Sequence, residues 1–370
     1  MIETLKNDIL NKSESPETYY NIGIMHTKNN KLDDAINAYK KAISLKPDYV
    51  EAYFNIGRVF YDLGKYLFAI EVFNKVLSLN PNSISAYHYL AISISKGTFL
   101  EPKPHLHSSI LKLLQKQNLV NPGTIAKAVI SLIKCDPVIK DILLLKNKPD
   151  LDDYMIKIIS SLSNYKLLME LMSLTPLVDL DLETLLINIR SFILLNITKI
   201  QNKPEMLSFQ SALALQCFIN EYLYKEDELE TESLKRLEQS IEISFSEGVK
   251  PEPFILLCLA SYRPLHLYQW SKSISLPNQY QKVSKTLIND FFIEKKLSSE
   301  IPILHEVTDE VSFDVRKQYE ENPYPKWTNI RLNSVPSTIA QIVKYSKLKL
   351  INNKINMITS PNILIAGCGT

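Results

Sequence analysis

Glycine is scarce in this chain: eight residues in 370, against about 7% in an average protein, which favours helix over sheet. Cysteine is equally sparse. Cys135, Cys217, Cys258 and Cys368 stand far apart with no Cys-x-x-Cys pair, so neither a disulfide framework nor a zinc site is expected. No stretch approaches the roughly 18 apolar residues of a spanning helix, and Met1-Ile-Glu-Thr-Leu-Lys-Asn-Asp has no signal core, so no membrane partner and a cytoplasmic location are expected. The six histidines are scattered. Only His105 and His107 are close, and without nearby Cys or acidic ligands they read as loop polar groups, with no metal expected. A nucleophile elbow and a phosphate loop are both missing.

Acid is missing from one region. Residues 322–370 contain no Asp or Glu, while Lys326, Arg331, Lys344, Lys347, Lys349 and Lys354 are basic; the stretch from Glu221 to Glu247 is acid-rich. With a net charge of +2 and no aromatic-interleaved module, these are expected to be complementary solvated faces, without a nucleic-acid partner.

What is present is a repeat. Tyr19, Ile22, Gly23, Leu32, Ala35, Tyr39, Ala42 and Pro47 recur 34 residues later as Tyr53, Ile56, Gly57, Tyr66, Ala69, Phe73, Val76 and Pro81. Small residues at Gly23, Ala35, Gly57 and Ala69 let paired helices approach, large ones fill the gaps, and each proline closes a second helix. A third unit starts at Tyr87, Leu90 and Ala91 but loses register at Gly97, Pro102 and Pro104, predicting one capping helix and then a loop. Because three repeats are the usual minimum for a free-standing stack, this array must lean on the next domain.

The pattern resembles the tetratricopeptide repeat (TPR). That resemblance implies a concave groove lined by the first helix of each pair, here Tyr20, Ile24 and Lys28, then Phe54, Arg58, Tyr61 and Asp62. Members that grip a C-terminal carboxylate carry Lys and Asn at the first two groove positions. Tyr20 and Ile24 stand there instead, which argues against that function. A protein or peptide partner, intramolecular docking and self-association all remain open.

From about His107 to Glu300 apolar stripes recur at three- and four-residue spacing, over 107–117, 124–145, 151–174, 182–201, 207–224, 231–247 and 278–297. The expectation is a helical bundle or diverged solenoid. Within it, Leu213-Ala-Leu-Gln-Cys-Phe-Ile-Asn-Glu-Tyr-Leu-Tyr224 reads as a mostly buried helix whose Gln216, Asn220 and Glu221 need structural partners. Further on, Val315-Arg-Lys-Gln-Tyr-Glu-Glu-Asn-Pro-Tyr-Pro-Lys-Trp327 predicts a short helix ending near Glu321 and then extended chain, because Pro323 and Pro325 bar helix before them. Finally Ile363-Leu-Ile-Ala-Gly-Cys-Gly-Thr370 reads as a strand entering a glycine turn.

These three stretches together resemble bacterial TPR proteins that continue into a class I S-adenosylmethionine-dependent methyltransferase. The resemblance implies that Arg316, Tyr319, Asn322, Tyr324 and Trp327 form a lead-in across a cofactor or substrate cleft, and that Gly367 and Gly369 open an incomplete cofactor turn. Ala366 stands where many members have an acid, and the G-x-G alone would fit a dinucleotide-binding domain almost as well.

The expected architecture is therefore all-α, ending in the orphan first strand of a truncated α/β domain: repeats over 1–100 (full units at about 16–49 and 50–83), a helical domain over 101–304, a linker over 305–360 and the start of a methyltransferase domain over 361–370. As a function, the expectation is the N-terminal part of such a methyltransferase, without cofactor or activity alone. The alternatives are a stand-alone TPR scaffold and one half of a split enzyme completed by a C-terminal methyltransferase half.

Overall fold

A computed structural model describes residues 15–145, 151–200, 204–300, 309–321, 338–341 and 354. It divides at Glu300 into two units, Met1–Glu300 and Ile301–Thr370. Every regular element among the described residues is helical, so the chain is all-α; the expected strand at 363–366 lies outside the described residues.

The first unit opens with five helices: α1 (Pro16–Lys28), α2 (Leu32–Leu45), α3 (Val50–Asp62), α4 (Tyr66–Leu79) and α5 (Ile84–Lys96). Each packs on its predecessor. Ser15 starts α1 by accepting a hydrogen bond from the Thr18 backbone N–H (3.1 Å), and Ser83 does the same for α5 through Ala86 (3.3 Å). Gly23 and Gly57 are needed because of what faces them. A methyl carbon on Gly57 would lie 2.8 Å from two ring carbons of Phe73, and one on Gly23 would overlap the ring of Tyr39. The helices of each pair thus meet backbone against ring.

Nine further helices fill out the unit: α6 (Pro104–Leu114), α7 (Pro122–Cys135), α8 (Pro137–Leu145), α9 (Leu151–Ser163), α10 (Lys166–Met172), α11 (Leu180–Leu195), α12 (Pro204–Ile219), α13 (Glu228–Ser246) and α14 (Pro253–Ala260). A last helix, α15, begins as Gln281–Ser284, widens to a π turn over Lys285–Asn289 and continues as Asp290–Glu300.

The single helix and the loop after the second repeat are found, but α5 does not cap the stack. It packs against both α4 and α7, and its Leu90 and Ile94 are fully buried. One hydrophobic core consequently runs from Ala69 on α4 to Ile288 on α15, whereas α2 and α3 build a smaller separate cluster from Ala35, Tyr39, Ala42, Ala52, Ile56 and Val59. The short array does lean on the helices C-terminal to it.

Three of the expected stripes are interrupted: 151–174 divides into α9 and α10, and the other two breaks have identifiable causes. Pro137 breaks 124–145, and Asp136 accepts the Val138 N–H (2.9 Å) to start α8. Likewise 207–224 stops at Ile219. Glu221 and Tyr222 both take left-handed φ, +59° and +58°, and the Tyr222 N–H closes the helix on the Cys217 carbonyl (2.8 Å).

In the second unit a helix, α16 (Glu310–Glu321), ends where the proline pair predicts.

Candidate functional site

Alternate helices of the repeats, α1, α3 and α5, carry equivalent positions at the 34-residue period, so their outward side chains form successive rungs of one face. Tyr20 and Ile24 on α1 are half-buried, and Lys28 is exposed in its last turn. On α3, Phe54 and Tyr61 are half-buried, whereas Arg58 and Asp62 are exposed.

The face is aromatic and ordered by ring contacts. Tyr20 lies against Tyr49 (centroids 5.1 Å apart) and Tyr39 (5.9 Å), and its hydroxyl accepts a hydrogen bond from Asn55 Nδ2 (3.3 Å). The Tyr39 hydroxyl pairs with Thr27 Oγ1 (3.2 Å), and burial raises its pKa. Further along, Phe54 and Tyr61 meet Tyr89 edge-on at 5.5 Å and 5.9 Å, while Tyr89 stacks on buried Phe73 at 5.3 Å. The Arg58 guanidinium lies 5.9 Å from the centre of the Tyr89 ring.

Phe54, Arg58 and Tyr61 are therefore brought together, and Tyr20 is tied to α3 through Asn55. Ile24 packs into the smaller core. The reading of the repeats missed Tyr89 and Asn55. Both occupy the rung begun by Asn21, so carrying the period through to the third unit would have found them.

Such a face can offer flat apolar contact, phenol hydroxyls and one exposed guanidinium to an extended chain. Chemistry of another kind finds no centre. No group of His, Cys, Asp and Glu among the described residues could hold a metal ion, and no described helix is long and apolar enough to cross a membrane. His105 and His107 lie on α6, not in a loop. His105 Nε2 pairs with Glu71 Oε1 (2.6 Å), and His107 packs on Tyr165, its pKa lowered by burial.

Within 213–224 Gln216 finds structural partners, whereas buried Asn220 Oδ1 has no hydrogen-bond partner among the described residues and Glu221 is exposed in the turn after the helix. With its amide nitrogen turned inward, Gln216 donates to the carbonyls of Met172 (3.0 Å) and Thr175 (3.1 Å) and accepts from the Leu177 N–H (3.1 Å), fastening the loop after α10. Beside it lies a buried ionic cluster that the sequence did not disclose. Arg190 on α11 donates to the carbonyls of Tyr224 (3.3 Å) and Lys225 (2.8 Å), and its Nη2 stands 3.7 Å from Glu230 Oε1. Glu230 also accepts from the Tyr262 hydroxyl (2.6 Å) and closes the capping box of α13 with Asp227. Burial drives the Cys217 and Cys258 thiols up to about 12.

Of the lead-in residues, Tyr319 falls on α16, whereas Asn322, Tyr324 and Trp327 lie outside the described residues, as do Gly367 and Gly369.

Comparison with known proteins agrees with the repeat geometry. A model of the TPR repeat matches residues 23–64, and one of the tetratricopeptide repeat matches residues 50–83, so this part of the chain consists of TPR repeats. Among solved structures, the crystal structure of YrrB, a TPR protein with an unusual peptide-binding site, is 14% identical; the match covers 63% of this chain and 97% of that one, with a TM-score of 0.24. At that score the likeness carries no argument about fold or ligand. No curated protein matches the chain.

Proposed function

We propose that the chain is an interaction protein that binds an extended peptide on the face formed by α1, α3 and α5. The observation carrying this reading is the half-buried ring cluster of Phe54, Tyr61 and Tyr89 with Arg58 exposed across it. Rings already fixed by their neighbours lose little freedom when a ligand covers them. The 370-residue chain, immobilised and challenged with a pool of randomised nonapeptides, should retain a subset sharing a motif. Retention should vanish when Tyr61 and Arg58 are both replaced by Ser. Retention without a motif, or unchanged in the double variant, would overturn the reading.

The second part of the proposal rests on the resemblance at 213–224, 315–327 and 361–370: this helical assembly serves an S-adenosylmethionine-dependent methyltransferase as its non-catalytic portion. Gly367 and Gly369 would form only the glycine turn beneath the cofactor, and in such folds its ribose hydroxyls are held by an acid about 20 residues further on. Calorimetric titration of the chain with S-adenosylmethionine is expected to show no saturable heat; micromolar binding would refute this division of labour.

A further inference from the structure

Resting on the reading of α1, α3 and α5 as a peptide-binding face, the arrangement of charge on that face bears on which peptides it takes. Arg58 is exposed, and no ion pair joins it to a carboxylate among the described residues, although Asp62 stands one turn further along the same helix. Its guanidinium borders the half-buried Tyr89 ring, which in turn rests on Phe73, a side chain fully removed from solvent. A cation beside such a low-dielectric floor attracts an anion more strongly than one surrounded by water. The neighbouring helix does not oppose it: the sequence of α5 from Ile84 to Lys96 contains no Asp or Glu, and Lys96 is exposed in its last turn. Asn55, which could otherwise have served a ligand, is committed to the Tyr20 hydroxyl.

We propose that this part of the face selects extended peptides bearing a carboxylate side chain opposite Arg58, with an adjacent apolar or aromatic residue seated on Phe54, Tyr61 and Tyr89. The guanidinium supplies a planar donor fork that matches a carboxylate, and the rings supply the contact that anchors the neighbour.

Two pools of nonapeptides, randomised except for a central Glu in one and a central Gln in the other, test this on the full 370-residue chain. The Glu pool should be retained about fivefold better at low salt, near the upper end for a solvent-exposed ion pair, and the preference should fade in high salt. Arg58→Met should remove the preference, so that the Glu pool is retained no better than the Gln pool. Lys140→Met, an exposed cation on α8, should leave the preference intact. Equal retention of the two pools by the wild-type chain would overturn acid selection and leave the peptide-binding face standing; retention of neither would overturn both. A preference that survives Arg58→Met, or that Lys140→Met weakens equally, would also refute the assignment to Arg58.

Discussion

Gly23→Ala sets two effects of opposite sign against each other. Alanine is favoured over glycine inside a helix by about 1 kcal/mol, so an exposed site would gain stability. Here the new methyl would stand 2.8 Å from Tyr39 Cζ and closer still to Cδ1 and Cε1. Tyr39 has no room to retreat: it is 1% exposed, its hydroxyl pairs with Thr27, and Thr27 in turn donates to the Gly23 carbonyl (2.9 Å). Overpacking of this kind costs about 1–3 kcal/mol, so the balance is a net loss of up to about 2 kcal/mol. The loss should be local, because α2 and α3 form a cluster distinct from the core that begins at Ala69. Hydrogen exchange resolved by segment should therefore quicken over 16–62 and stay unchanged over 104–300. Adding Tyr39→Leu should recover part of the loss, giving a favourable coupling in a double-mutant cycle. A Gly23→Ala protein more stable by about 1 kcal/mol would refute the packing argument.

Other perturbations probe the rest of the first unit. Arg190→Met strands Glu230 in the interior with only Tyr262 and the Asp227 N–H as donors, so urea unfolding should register a loss of about 3 kcal/mol; a loss under about 1 kcal/mol would contradict the cluster's burial. Alkaline pH should also weaken the fold. An unfolded thiol ionises near 9.0, whereas buried Cys217 and Cys258 hold their protons to about 12, so the unfolded state binds fewer protons in between and stability falls as pH rises from 9 to 12. These thiols contribute no pH dependence below that window. Urea midpoints measured from pH 7 to 11 check this, and a flat profile above pH 9 would count against it.

The repeats were legible because their residues act locally: Gly23 and Gly57 face a ring sixteen positions on, at a fixed place in the period. The helix end at Glu321 was legible for a similar reason, since a proline pair constrains the residues before it. Helix α14 was not. Pro253–Ala260 is apolar on all sides and six of its eight residues are buried, so it shows no 3.6-residue stripe to read. The turn at Glu221 and Tyr222 was missed because neither residue advertises a left-handed backbone as glycine does. The Arg190 cluster joins α11 to α13, to the segment before it and to Tyr262 just after α14 through contacts more than thirty positions apart, and a single Arg within Leu180–Leu195 does not announce its partners. On the candidate face, Tyr20, Phe54, Arg58 and Tyr61 were found by register, while Tyr89 was hidden where that register fades.

The most direct test of the central claim is hydrogen exchange of the 370-residue chain with and without a nonapeptide recovered from the randomised pool. The account predicts that bound peptide slows exchange in Pro16–Lys28, Val50–Asp62 and Ile84–Lys96, with the strongest effect around Arg58. Protection confined to α11–α14, with the three repeat helices unchanged, would place the binding surface elsewhere and contradict it.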